Sequence, residues 1–221
     1  MSKPYVVGID IGGTNTVFGI VDARGVVLAS SSIKTRKNPT IEGYLDELHT
    51  ELTKLLEAND AVGKIHGIGI GAPNANYYTG TIESGVNLPW PTPIPLAKLV
   101  SDKFGIPVSI TNDANAAAIG EMTYGAARGL KDFIMITLGT GVGSGIVING
   151  QLVYGHDGFA GELGHIIVKR NNGRLCGCGR RGCLETYCSA TGVAQSAREF
   201  LEARASEPSL LRNIPADEIT S

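Results

Sequence analysis

Three cysteines lie close together in the segment CGCGRRGCLE, which spans residues 176–185. Cys176, Cys178 and Cys183 are separated by glycines and a pair of arginines, and His165 in GELGHI is the nearest histidine upstream. Three thiolates and one imidazole are a common structural Zn²⁺ ligand set. The alternative is a disulfide, but cysteines one residue apart bridge poorly and a reducing compartment keeps thiols free. The spacing therefore predicts a structural zinc site.

Two glutamates flank the cysteine segment and extend its possible role from structure to ligand binding. Glu162 precedes His165, and Glu185 follows Cys183. A metal-bound imidazole keeps a second ring nitrogen whose N–H needs a partner. The metal would thus hold Glu162, His165 and Glu185 as a rigid polar set for a polyhydroxylated ligand. The alternative leaves His165 as a metal ligand only, with both glutamates at the surface or as helix caps.

Two glycine turns have the composition of phosphate-binding loops. The first is GGTN at residues 12–15, and the second is GTGVGS at residues 139–144. Glycine lets backbone N–H groups approach a phosphate closely, and Thr or Ser hydroxyls add donors. A polyphosphate could bridge the two turns, although each is also compatible with an ordinary tight hairpin. The predicted phosphate contacts are Gly12, Gly13, Thr14, Asn15, Gly139, Thr140 and Gly141. Replacing Cys178 with Ser is expected to loosen ligand affinity and the fold together, and hardly to affect these turns.

Two aspartates stand where they could take part in phosphoryl transfer. Asp10 ends the first predicted strand beside the first glycine turn, where a carboxylate could hold Mg²⁺ through water. Asp113, in TNDANAAAIGE, lies at a junction between a strand and an Ala-rich helix, and it could accept a proton from a substrate hydroxyl. Transfer of a γ-phosphoryl group otherwise needs mainly positioning and charge neutralisation. Each aspartate also has a structural interpretation, as a turn residue or a helix N-cap.

Other nucleotide-binding motifs do not fit the chain. No G-x-x-x-x-G-K-[ST] loop occurs. The run GIGIGA at residues 67–72 satisfies G-x-G-x-x-G/A, but Pro73 follows and no helix begins there to receive a pyrophosphate. A dinucleotide site is therefore not favoured.

Composition narrows the possible partners and the cellular location. The chain of 221 residues is 43% hydrophobic and has a formal net charge of −2, which provides no electrostatic footprint for nucleic acid or an acidic membrane. No run approaches the length of a membrane span, and the N-terminus passes into a strand pattern without a signal-peptide core. A cytoplasmic protein without a nucleic-acid partner is expected.

The elements that must position these residues follow an α/β order. Seven elements are predicted in the first half: strands at 5–11, 16–22 and 26–32, a helix capped by Thr40, a strand at 64–71, a helix at 96–104 and a strand at 108–112. A small hairpin at 77–84, strands at 132–138 and 146–149 and a helix at 191–205 are also predicted.

The second half of the pattern repeats the first. VGIDIGGTNTVFGIVDARG and IMITLGTGVGSGIVINGQ share a strand, a glycine turn, a Gly-Ile-Val strand and a second turn. The repeat predicts two copies of one α/β unit facing each other over a cleft, with two unrelated hairpins as the alternative. We expect an N-terminal domain at residues 1–112 and a C-terminal domain at 113–221 that is incomplete, because its copy would need further elements.

The motifs together resemble the ROK family of bacterial sugar kinases and related repressors. The resemblance covers essentially the whole chain and rests on DIGGT (10–14), NDANAAAIGE (112–121), LGTGVGSGIVING (138–150), GELGH (161–165) and CGCGRRGCLE (176–185). It implies the duplicated, two-domain actin-like ATPase fold, related to ribonuclease H. It also implies that family members continue beyond Ser221, so a C-terminally truncated chain without its adenine contacts is expected. Family members usually form dimers or tetramers.

The resemblance implies an ATP-dependent hexokinase-type reaction with Asp113 as the base toward the sugar 6-hydroxyl and Asp10 near Mg²⁺. It further implies sugar contacts from Asn112, Asp113, Glu162, His165 and Glu185, and zinc ligation by His165 and the three cysteines.

Glucose is the expected sugar, and N-acetylglucosamine, N-acetylmannosamine or several hexoses are alternatives. A sugar-sensing repressor is another alternative, for which the segment before Tyr5 leaves no room for a helix-turn-helix; an inactive fragment is a third. Two departures from the family pattern stand out: Asn15 replaces a frequent Lys, and GAPNAN (71–76) replaces a frequent G-x-P-G turn.

Overall fold

Strands and helices alternate along the part of the chain that the computed structural model describes, residues 3–84 and 88–220. They follow the order β1 (Tyr5–Ile11), β2 (Asn15–Asp22), β3 (Val27–Lys34), α1 (Ile41–Ala58), β4 (Ile65–Gly71), β5 (Ala75–Asn76), β6 (Thr81–Ile82), α2 (Leu96–Phe104), β7 (Val108–Thr111), α3 (Asp113–Tyr124), β8 (Phe133–Leu138), β9 (Val142–Ile148), β10 (Gln151–Leu152), α4 (Glu185–Cys188) and α5 (Ala190–Ala203). Short 3₁₀ helices occupy Thr35–Lys37, Leu163–His165 and Leu210–Asn213. This order confirms the predicted α/β class.

A five-stranded sheet of order β3-β2-β1-β4-β7 organises the first half of the chain. Its first three strands form the predicted antiparallel meander, and β4 and β7 add in parallel. Side chains alternate between the faces of a strand. Val7, Ile9 and Ile11 of β1 are therefore buried in one core, whereas Asp10 lies on the other face and is exposed.

Helix α1 covers the buried face of this sheet. Its N-cap is the predicted Thr40, whose Oγ1 accepts a hydrogen bond from Gly43 N at 3.2 Å. Its apolar side chains recur at helical spacing, so one stripe of the helix joins the core of the sheet. The buried members of that stripe are Tyr44, Leu45, Leu48, Leu52 and Leu56.

The chain divides into two compact units. One contains the described residues within Met1–Phe133 and Ile146–Ala160, and the other those within Ile134–Gly145 and Gly161–Ser221. The predicted domain boundary between Asn112 and Asp113 stays a prediction.

A three-stranded sheet of order β10-β9-β8 repeats the order β3-β2-β1 of the first meander. In both meanders a glycine turn follows the first strand, as the sequence repeat predicts. The start of the second strand is a correction, because β9 begins at Val142 and not at Ile146. Gly143 and Gly145 are compatible with extended backbone, so the glycine-rich stretch forms a strand after a short turn. The Asn149-Gly150 turn that closes β9 has positive φ at both residues (53° and 74°), as a two-residue hairpin requires.

Candidate functional site

The first glycine turn joins β1 to β2 and is held by the segment that follows β3. Gly12 N donates to Asn15 O at 2.9 Å and closes the turn. The three carbonyl oxygens of the turn all accept hydrogen bonds: Gly12 O from Thr35 Oγ1 at 2.7 Å, Gly13 O from Arg36 Nε at 2.9 Å and Thr14 O from Thr35 N at 3.0 Å. The backbone of this turn is therefore fixed by residues that are distant in sequence.

A lysine lies beside Asn15, the residue that replaces the frequent Lys of the family pattern. Asn15 pairs with Lys34 across β2 and β3, and Lys34 Nζ donates to Asn15 Oδ1 at 2.8 Å. The ammonium group thus stands next to the first glycine turn, although it comes from the neighbouring strand. Local positive charge at this turn does not depend on residue 15.

Asp10 and Asp113 are neighbours in the first unit. Asp10 pairs in register with Gly71 of β4, and a Cβ on Gly71 would lie 3.6 Å from Asp113 Cα. Although Asp10 is exposed as a residue, partial desolvation of its carboxyl group raises its pKa, and the negative charge of Asp113 raises it further. Two adjacent carboxylates favour a cation such as Mg²⁺ between or beside them.

Asn112 and Asp113 also begin helix α3. Ala114 N donates to Asn112 Oδ1 at 2.9 Å and to Asp113 Oδ1 at 2.8 Å. Asn112 is therefore the N-cap of α3, and Asp113 is its first residue, whose carboxylate is held at the helix N-terminus by the bond from Ala114 N. A capping contact uses one carboxylate oxygen and leaves the other for a ligand.

Asn115 is a residue that sequence reasoning did not select. It is buried in α3, and its Oδ1 has no hydrogen-bond partner within the described ranges. A buried, unpaired amide oxygen costs free energy unless water or a ligand satisfies it. The signal in the sequence was its position two residues after Asp113, but its burial depends on tertiary packing.

The four predicted zinc ligands converge in the second unit. The ligand atoms of His165, Cys176, Cys178 and Cys183 all lie within 4.8 Å of one another. His165 Nδ1 is 3.6 Å from Cys176 Sγ, and the sulfurs of Cys178 and Cys183 are also 3.6 Å apart. All four cysteines of the chain are free thiols, and Cys188 is half-buried in α4. The donor set and its spacing fit a tetrahedral zinc ion.

Backbone packing gives the cysteine loop its shape. Gly182, between Arg181 and Cys183, has φ of 82°, and a Cβ there would lie 1.9 Å from Lys169 O. Only glycine is compatible with both conditions. Within the loop, the backbone N–H of Arg180 lowers the pKa of the Cys178 thiol, whereas burial raises the pKa of Cys176.

The polar residues around the cysteines point in different directions. His165 Nδ1 faces Cys176, whereas Nε2 lies 4.0 Å from Glu162 Oε2. Glu185 Oε1 lies 3.7 Å from Cys176 Sγ, and Glu185 Oε2 accepts a hydrogen bond from Val142 N at 3.0 Å. The Nε2 side of the imidazole is thus available for the Glu162 carboxylate or a ligand hydroxyl.

The second glycine turn is joined to this set. A Cβ on Gly141 would lie 2.5 Å from Glu185 Oε2, and Ala190 N donates to Gly139 O at 2.8 Å. The expectation that a change in the cysteine loop would hardly affect the glycine turns stays a prediction, and the contact of Glu185 with the second turn argues against it. Glu185 contacts both features, because α4 begins where the cysteine segment ends.

Arg174 is a second residue that the sequence did not reveal. Its guanidinium donates to Thr186 O, Gly192 O, Ser196 Oγ and Glu199, at distances of 2.6 to 3.3 Å. It also lies 4.6 Å above the ring of Tyr187. Arg174 thereby attaches the cysteine loop to α4 and α5.

The structure brings the predicted residues together in two groups. Asp10, Asn112 and Asp113 lie with the first glycine turn in one unit. In the other unit, the four possible metal ligands lie with Glu162, Glu185 and the second glycine turn.

Comparisons with known proteins find relatives that match most of the chain. The ROK family model matches residues 6–220. The chain is 41% identical over 201 residues to a glucokinase of Halalkalibacterium halodurans, which is 90% of this chain and 61% of that protein. It is 35% identical over 196 residues to the xylose repressor of Bacillus spizizenii, covering 87% of this chain and 50% of the repressor.

A solved structure matches the fold. The ROK glucokinase of Streptomyces griseus, crystallised with glucose and AMPPNP, superposes with a TM-score of 0.76 at 37% identity. The match covers 97% of this chain and 68% of that one. It confirms the predicted actin-like ATPase fold. The chain spans about three fifths of the length of the glucokinases it matches. Among the described residues, every helix is too short or too polar to cross a membrane.

Proposed function

The chain belongs to the ROK family, and we propose on this basis that the protein is a sugar kinase that transfers the γ-phosphoryl group of ATP to the 6-hydroxyl of glucose. The observation that carries the proposal is the pair of aspartates, Asp10 and Asp113, beside a glycine turn with all its carbonyls engaged. Glucokinases at 41% and 38% identity support glucose as the substrate.

In this proposal the two aspartates have different roles. Asp113 accepts the proton of the 6-hydroxyl as the sugar oxygen bonds to the γ-phosphorus and the bond from that phosphorus to ADP breaks. The hydrogen bond from Ala114 N holds the Asp113 carboxylate in place. Asp10 binds the Mg²⁺ of MgATP, directly or through water. Its raised pKa reflects the unfavourable charge that a cation would neutralise. The proposed phosphate contacts are the N–H groups and hydroxyls of residues 12–15 in the first unit and of residues 139–141 in the second.

The proposed sugar contacts in the first unit are Asn112 and Asp113. In the second unit, Glu162, His165 and Glu185 form a second set of proposed sugar contacts. His165, Cys176, Cys178 and Cys183 would hold a zinc ion, which would supply a fixed anchor for this second set. The imidazole orientation supports this proposal, because Nδ1 faces the sulfurs and Nε2 faces Glu162.

The decisive experiment is a comparison of the Asp113→Asn variant with the wild-type protein. We expect kcat for glucose phosphorylation to fall by a factor of about 10² to 10⁴, because the general base is lost. Glucose affinity in calorimetry should change by less than about twofold, since the amide keeps the shape and most hydrogen bonds of the carboxylate. Asp102→Asn, at an exposed position of α2, is the matched control and should retain wild-type turnover.

Two outcomes would contradict parts of the proposal separately. Unchanged turnover of Asp113→Asn would exclude Asp113 as the base. The wild-type protein could instead form no glucose 6-phosphate but phosphorylate N-acetylglucosamine, N-acetylmannosamine or another hexose. That outcome would exclude glucose as the substrate and keep the protein in the class of sugar kinases. The same assay across those sugars therefore determines the substrate.

A sugar-responsive regulator is the second proposed function. It is supported by the similarity to xylose repressors, which reaches 35% identity. In that case the polar residues would bind sugar without turnover. Sugar-dependent retardation of promoter DNA, with no phosphorylated product, would favour this function over the kinase.

A further inference from the structure

Three buried hydroxyl groups lie beneath the first glycine turn. Thr16, Thr35 and Tyr44 are each 0% exposed. Thr16 Oγ1 lies 3.0 Å from Thr35 Oγ1 and 2.9 Å from the phenolic oxygen of Tyr44. Thr35 Oγ1 lies 2.7 Å from Gly12 O. The three hydroxyls form a continuous chain that ends on the first carbonyl of the turn.

The donors and acceptors in this chain can be assigned without seeing hydrogens. A carbonyl oxygen only accepts, so Thr35 donates its single hydroxyl proton to Gly12 O. Thr35 must then accept from Thr16, and Thr16 must accept from Tyr44. Burial raises the pKa of Tyr44, so its phenol keeps the proton that the assignment requires. The ring of Tyr44 is supported by Trp90, at 4.5 Å between ring centroids.

The orientation of the carbonyls determines the orientation of the N–H groups. In a planar trans peptide, C=O and N–H point in opposite directions. Thr35 and Arg36 engage the carbonyls of Gly12, Gly13 and Thr14. The N–H groups of Gly13 and Thr14 belong to the peptide groups whose carbonyls are Gly12 O and Gly13 O. Both N–H groups therefore point away from the Thr35–Arg36 segment.

We propose that Thr16, Thr35 and Tyr44 are positioning residues, which orient the N–H groups of Gly13 and Thr14 toward the phosphates of a bound nucleotide. The inference rests on the proposed function, because it assumes that this turn binds MgATP. Donors that are oriented before binding need no reorganisation when the charged ligand arrives. The chain of hydroxyls supplies that orientation from inside the hydrophobic core, out of contact with the ligand.

The first test removes the Thr35 hydroxyl. Thr35→Val keeps the shape of the side chain but leaves Gly12 O without its donor, and we expect the Kd for MgATP in calorimetry to rise about tenfold. Glucose affinity should change by less than about twofold. Thr35→Ser restores a hydroxyl and should recover most of the MgATP affinity. Thr50→Val, which removes an exposed hydroxyl that also donates to a carbonyl, Asp46 O, is the control.

The second test measures whether the hydroxyls act as one chain. Tyr44→Phe deletes one oxygen atom and should raise the Kd for MgATP about threefold. In the Thr35→Val background the same change should have almost no further effect, because the link to the turn is already absent. If Thr35→Val does not fold, the single variants Tyr44→Phe and Thr35→Ser carry the test: MgATP binding should weaken in the first and stay close to that of the wild type in the second.

The failures can be distinguished. MgATP binding by Thr35→Val or Tyr44→Phe equal to that of the wild type would overturn this inference alone, as would independent effects of Thr35→Val and Tyr44→Phe. A wild-type protein that binds no MgATP would overturn the kinase proposal and this inference together.

Discussion

At the scale of single residues, glycine at position 141 leaves room for the carboxylate of Glu185. A Cβ at this position would lie 2.5 Å from Glu185 Oε2, whereas a Cβ on Gly139 would have no neighbour within 4 Å. Gly141→Ala should displace the Glu185 carboxylate from Val142 N and cost about 1 kcal/mol of unfolding free energy. Glucose affinity should fall at the same time, since Glu185 is a proposed sugar contact.

Gly139→Ala provides the matched control for that prediction. In urea unfolding without ligands, the unfolding free energy of the Gly139 variant should stay near that of the wild type. Only the Gly141 variant should have a lower value. Equal stability and equal glucose affinity of the two variants would exclude the contact between Gly141 and Glu185 as a functional constraint.

Asp10 predicts an unusual pH dependence of stability. Its folded pKa is raised above the ordinary value of 3.8, so the folded protein binds this proton more tightly than the unfolded chain. Ionised Asp10 therefore destabilises the fold above its raised pKa, and the penalty vanishes as the pH falls through that pKa toward 3.8. Asp10→Asn should be more stable than the wild type at pH 8, with a gain that shrinks toward pH 4. Urea unfolding across this range measures the difference.

Asp22 provides a control, because its effect on the pH dependence of stability has the opposite sign to that of Asp10. Hydrogen bonds from Val26 N and Arg24 lower its pKa, so its contribution is present above pH 3.8 and is lost as the pH falls through the lowered pKa. Asp22→Asn should therefore lose stability at pH 8. A loss of stability at pH 8 for Asp10→Asn as well would contradict the assignment for Asp10.

The sequence predicted the residues whose chemistry is visible in short motifs, and it missed those that act through tertiary contacts. The metal-ligand spacing of His165 and the cysteines predicted a cluster that the structure does form. Thr35 follows the end of β3, far along the chain from Gly12. Nothing in the neighbouring sequence therefore indicated that it donates to the glycine turn. Arg174 was equally hidden, because a charged loop residue is usually solvated.

At the scale of secondary structure, Arg174 connects three elements of the second unit. Its guanidinium makes partly buried, charge-assisted hydrogen bonds to the backbone of α4 and α5 and an exposed one to Glu199. Lysine cannot reproduce this planar set of donors. Arg174→Lys should lower the unfolding free energy by about 1.5–3 kcal/mol, because several carbonyls lose their partner.

A second arginine provides the comparison. Arg204 is exposed and pairs with Glu207 at 3.5 Å, so Arg204→Lys should stay within about 0.5 kcal/mol of the wild type. Urea unfolding measures both variants. If the two changes cost the same, Arg174 does not organise these helices.

Secondary structure was predictable where hydrophobic periodicity was strong. The bounds of β1 and α2 agree with the sequence prediction, and the cap of α1 is the predicted Thr40. The short helix α4 was missed because four residues are too few to show a period. The start of β9 was misplaced because glycine suggested a turn, whereas strand pairing accommodates it.

At the scale of the whole molecule, the proposed zinc ion should stabilise the fold. Elemental analysis of the purified protein should find one zinc ion per chain, and chelation should lower the melting temperature, because four ligand side chains would lose their common partner. Zinc should restore the original value, whereas magnesium should not. Protein that contains no zinc and is insensitive to chelation would contradict the metal assignment.

Glu185 connects the cysteine loop to the second glycine turn, so a change in the cysteine loop should affect the binding of both substrates. Since Glu185 contacts Cys176 and the second glycine turn, Cys178→Ser should weaken glucose and MgATP binding together. Weakened glucose binding with unchanged MgATP binding would instead show that the turn is independent of the cysteine loop.

The packing of Trp90 against Tyr44 gives the protein an internal optical probe. Trp90 is the single tryptophan of the chain, it is 4% exposed, and its indole N–H donates to Asn38 O at 3.1 Å. Its emission wavelength and intensity therefore report on the surroundings of one phenol ring. Fluorescence excited at this one residue can follow events beneath the first glycine turn in unlabelled protein. A small displacement of Tyr44 on nucleotide binding would be recorded as a change in the emission spectrum.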